Sequence, residues 1–95
     1  MSETLEQATT VVGGWSEFTS EIDEMAQLSF VEALSGLRGV VYSPVAVASQ
    51  VIAGMNYQFF CNSKVVYPGA QNEPAMVYIT KPVGEKAYIT EIIRP

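Results

Sequence analysis

Ninety-five residues, 48% of them apolar and 16% charged, build one hydrophobic core and exclude both a disordered chain and a two-domain protein. The net charge of −5 is uneven, with seven carboxylates and no Lys or Arg in residues 1–37, against five basic and three acidic groups in 38–95. No strongly basic face follows from this, which argues against a nucleic-acid partner, and the lack of any histidine excludes His-based catalytic and two-His metal arrangements within one chain.

The first ten residues, "MSETLEQATT", are acidic and polar, with neither the basic nor the apolar region of a secretory signal. No run approaches the length of a membrane span, so no membrane partner is expected. With Cys61 as the single cysteine, no intrachain disulfide can form, which fits a reducing compartment. The expectation is a cytoplasmic protein, or a secreted one where a signal has been removed. Residues 1–12 read as a flexible arm of a single domain covering 1–95, with Val11 and Val12 just before "GGWS".

From about residue 20 to 37 the pattern is helical. Phe18, Ile22, Met25, Ala26, Ser29, Phe30, Ala33, Leu34 and Leu37 recur at three- and four-residue steps, giving one apolar stripe. Glu17, Glu21, Asp23, Glu24 and Glu32 fall mostly off it and read as a solvated face, so no catalytic residue, metal or cofactor is expected, and no enzyme. Ser20 with Asp23 resembles a capping arrangement, while Gly36 and Gly39 mark the end of the helix.

Everything after Gly39 reads as β. Residues 40–42 and 45–49 flank Ser43-Pro44, where a proline implies an edge or a bulge. Tyr57, Phe59 and Cys61 alternate with Gln58, Phe60 and Asn62, so one face packs against the helix. "NSKVVYPGAQNEP" reads as a long connection, and 75–81 and 87–93 pair around "PVGE". The expected fold is α+β, one helix packed across a four- to five-stranded antiparallel sheet. Within it, residues 45–61 run far longer than one ordinary strand and must reverse near Gly54. Yet Val51, Ile52 and Ala53 are poor turn residues.

That tip resolves through a resemblance. "VVGG", the helix "SEIDEMAQLSFVEAL" and "QVIAG" continued by "MNYQFF" resemble the cystatin superfamily, over roughly residues 11–93. Within it the likeness is to stefins, single-domain and disulfide-free inhibitors of papain-like cysteine proteases. "QVIAG" matches the family's Gln-Val-Val-Ala-Gly with Ile52 in place of the central valine. The resemblance implies a cystatin-like fold and a reversible, competitive inhibitor that occludes the protease cleft without forming an acyl intermediate. Val11, Val12 and Gly13 would form the arm, with Gly13 turning it away from the catalytic cysteine. Gln50, Val51, Ile52, Ala53 and Gly54 would form the first hairpin, and Pro82, Val83 and Gly84 the second. Secreted members often carry a tryptophan after that proline, whereas this chain has Val83.

Other readings stay open beside it. The hairpin tip could serve a non-inhibitory binding or adaptor domain of the same fold. Trp15 either shields the helix start or extends the arm's contact, and Phe60 is either an exposed aromatic on the outer face or a dimer contact. Cys61 reads as a small buried hydrophobe. The strained tip also implies a hinge. The active form would be a monomer, and straightening the hinge would give a domain-swapped dimer.

Overall fold

The computed structural model describes residues 13–94. Among these residues one helix, α1 (Glu24–Leu34), packs on one face of an antiparallel sheet made of β1 (Val40–Val51), β2 (Gly54–Val65), β3 (Glu73–Pro82) and β4 (Tyr88–Ile93). Strand order follows chain order, β1-β2-β3-β4, so every connection is a hairpin between neighbours. The expected α+β class holds, with four strands. No helix among the described residues is long and apolar enough to cross a membrane.

Alternation in β2 builds the core. Tyr57, Phe59 and Cys61 are buried while Phe60 remains 43% exposed, and Ser63 adds a fourth inward position. Phe59 meets Phe30 of α1 with ring centroids 4.8 Å apart. Val47, Val77, Ile79, Ala26 and Ala87 close around this pair. The outward row holds Phe60, opposite Ala46 on one side and Met76 on the other.

The helix starts later than its periodicity implies. Asp23, not Ser20, is the N-cap: its backbone is extended and its carboxylate accepts the Ala26 N–H at 2.9 Å. Such a cap is worth about 1 kcal/mol. The preceding residues run along the free edge of β1 instead. Thr19 and Val47 exchange two backbone hydrogen bonds of 2.9 Å, and the Ser16 N–H donates to the Ser49 carbonyl at 2.8 Å. A helix begun at Ser20 would forfeit this cover and leave a sheet edge open. Phe18 therefore lies off the helical stripe at 48% exposed. Met25 is exposed on the outer side of α1, and Leu37 lies beyond its end.

Two further expectations change. Residues 40–51 form one strand rather than two, because a register shift between Pro44 and Ala46 accommodates the missing proline N–H. The long connection shrinks to 66–72. Asn62 pairs with Pro74 and Ser63 with Glu73, and the Ser63 hydroxyl donates to the Glu73 carbonyl at 3.0 Å. Turn-prone side chains yield here to cross-strand pairing with a neighbour already in place.

Candidate functional site

The first hairpin reverses over residues 52–54, between the paired Val51 and Met55. Ala53 has φ +47 and Gly54 φ +117, so an alanine occupies the left-handed region, at a cost of about 1 kcal/mol. Val51 and Ile52 stand 55% and 51% exposed at this strained turn. Nothing among the described residues buries them.

Gly54 lies opposite Pro82 in the β2–β3 register. A Cβ added there would sit 2.5 Å from the Lys81 carbonyl oxygen and 3.1 Å from the Pro82 Cα. Only glycine lets the two strands approach so closely, and the consequence is that both hairpin tips emerge side by side. In the second tip the Glu85 N–H donates to the Pro82 carbonyl, and Gly84 supplies φ +74. The Lys81 ammonium ties this turn by donating to the carbonyls of Pro82 and Glu85. Val83, at its apex, is 79% exposed.

Gly13 joins the same end of the sheet. Its φ is +84, in the left-handed region open to glycine, and its carbonyl accepts a 2.8 Å hydrogen bond from Gln50 Nε2. Val11 and Val12 lie outside the described residues. Gln50 is held in turn: its Oε1 accepts from Asn56 Nδ2 at 2.9 Å, and Asn56 Oδ1 accepts from the Thr80 hydroxyl at 3.0 Å. Gly13, Gln50, Val51, Ile52, Ala53, Gly54, Pro82, Val83 and Gly84 are thus brought together. Among them only Gln50 carries a polar side chain, so the edge offers apolar contact.

Sequence reasoning passed over Asn56 and Thr80. A signal existed for Asn56, since a hairpin centred on Ala53 must set Gln50 opposite it. Thr80 required the β2–β3 register, which no local pattern specifies. Trp15, two residues past Gly13, remains 38% exposed.

Elsewhere, burial shifts two titratable groups of the core. Burial pushes the Cys61 thiol up to about 12, so the thiolate is suppressed and the group is no nucleophile. Burial, and then the charge of Asp23, raise the Tyr57 hydroxyl above its ordinary value. At the opposite end of the sheet Arg94 donates to the Tyr42 hydroxyl at 2.6 Å and lies over its ring. No family model matches this chain, and neither a curated protein nor a solved structure matches it.

Proposed function

We propose that this protein is a stefin-like member of the cystatin superfamily that inhibits papain-like cysteine proteases reversibly and competitively. The observation that carries the reading is the adjacency built at Gly54. A tip bearing Val51 and Ile52 and a tip bearing Val83 stand side by side, with Gly13 hydrogen-bonded to Gln50 beside them. Exposed aliphatics at a strained turn are unfavourable in water and become favourable when a partner's cleft buries them.

In this mechanism the two tips enter the cleft as one wedge, and Val11 and Val12 follow the substrate path through the non-primed subsites. Gly13 turns the chain before a carbonyl reaches the nucleophile. No bond is made or broken, and no residue here acts as acid, base or ligand. Nanomolar affinity requires about 12 kcal/mol, most of which a few buried aliphatic anchors supply. The active species is a monomer.

The test is titration of papain with the purified protein against a small peptide substrate, with a serine protease in parallel. Papain is inhibited competitively and the serine protease is untouched. Full papain activity at micromolar protein would sink the reading.

A further inference from the structure

We propose that Asn56 is a positioning residue, locking the Gln50 amide in the orientation that tethers the chain at Gly13. The geometry of the tether is independent of function; its consequence for inhibition rests on the reading above.

The chemistry of the donors and acceptors carries the case. The Gly13 carbonyl can only accept, so Gln50 must turn its NH2 toward it. A side-chain amide alone has no such preference, because flipping it costs little and exchanges O for N. The Gly13 carbonyl sets the direction, and two cross-strand neighbours lock it. The Asn56 NH2 donates to Gln50 Oε1, and the Thr80 hydroxyl, which can donate or accept, donates to Asn56 Oδ1. With Oε1 so held, Gln50 Nε2 points at Gly13. Every bond in the relay runs the same way, from β3 through β2 and β1 to the arm.

The positions follow from register. Gln50 pairs with Asn56 across β1–β2, and Asn56 with Thr80 across β2–β3, so the three side chains form one row on the sheet face away from α1. All three are partly buried, where an amide bond is firmer than in open water. The row lies just below both tips, so the arm is registered to the elements it would act with. An arm held at Gly13 loses less freedom on binding than a free one, and that difference appears as affinity.

Asn56→Asp keeps the size of the side chain and replaces the NH2 by an oxygen. Gln50 must then turn its NH2 toward residue 56, setting Oε1 against the Gly13 carbonyl, and the tether breaks. Gln50→Glu keeps the shape of Gln50, removes its donor to Gly13 and adds a negative charge, and Gln50→Met removes the donor without the charge. All three variants are read first in the free, full-length protein. The Gly13 carbonyl 13C resonance should move upfield in each, as it does when a carbonyl loses its donor, while Thr80→Ser should leave it in place. Circular dichroism checks that the sheet survives. A Gly13 resonance at its wild-type position in all three variants would overturn the tether.

The second reading is a cycle against papain with and without residues 1–12. Asn56→Asp should raise the inhibition constant of the full chain about tenfold, or 1.4 kcal/mol. It should have no further effect once residues 1–12 are removed. An equal penalty in both backgrounds would show that Asn56 acts through the first tip and overturn the positioning role. If the wild-type protein left papain untouched while the Gly13 resonance still moved, the inhibitor reading would fall and the tether would stand.

Discussion

The two hairpin tips stand side by side but are held in opposite ways. The second turn is self-sufficient. Pro82, Gly84 and the Lys81 ammonium satisfy its backbone within five residues. The first has an alanine at positive φ, two exposed aliphatics and no side chain that bonds its own turn. It is held from outside, by the closeness of Gly54 to β3. Good turn chemistry suffices for a loop that only has to reverse. A loop shaped to present aliphatics gives up that chemistry and depends on its neighbours.

Alanine at the two glycines should separate these cases most clearly. At Gly54 the new methyl group meets backbone at 2.5 Å, and the φ of +117 is hard for any side chain. Gly54→Ala should lower stability by about 3 kcal/mol and weaken inhibition with it. Nothing lies within 4 Å of the same change at Gly84, so Gly84→Ala should cost only about 1 kcal/mol, for its positive φ. Urea denaturation of both variants measures the gap. Equal losses would mean that β3 does not hold the first tip.

A smaller effect tests the core against the tips. Cys61→Ser places a hydroxyl where the thiol lies 3.6 Å from the Phe59 carbonyl, and should cost about 1–2 kcal/mol without touching inhibition. The thiol also predicts an alkaline limb. Below its ordinary value of 9.0 both states keep the proton and its contribution is complete. As pH rises from there, the unfolded chain ionises while the folded one holds its proton up to about 12, so stability falls across that window. Denaturation midpoints from pH 8 upward should show a shallower decline in the serine variant.

Lys81→Met should loosen only the second turn, by about 1 kcal/mol, since it removes the donor to two carbonyls. Raised amide exchange confined to residues 82–86 would verify that. Ala53→Gly has the least effect and the opposite sign, a gain of about 0.5 kcal/mol from relief of the left-handed alanine. The same relief bears on the proposed domain swap. If strain at Ala53 drives the hinge open, size-exclusion chromatography after mild heating should find less dimer in this variant than in wild type, and wild-type dimer should leave papain active. An unchanged dimer fraction would show that Ala53 is not the hinge.

Much of this molecule was legible one stretch at a time. Period-two alternation at Tyr57, Phe59 and Cys61 told which face of β2 meets the helix, because a side chain's face in a strand depends only on its parity. A single apolar run too long for one strand, broken only by Gly54, located the first tip. The proline at Pro44 implied an edge or a bulge because its missing N–H has consequences wherever it is placed. The helix start was misread for a reason that is not local. Residues 16–19 have a partner in β1, thirty residues onward, and that partner outcompetes the helix.

Composition and pattern along the chain were therefore enough for a helix, a run of four to five antiparallel strands and the residues that reverse the first of them, since each depends on neighbours within a few positions. What they could not set was distance across the sheet. That Gly54 must be glycine because of Lys81, that Asn56 meets Gln50, and that Gln50 reaches Gly13 are facts of tertiary structure. Register is decided when the whole sheet closes over Phe59, because only then does a slip of one residue turn every buried side chain of β2 outward.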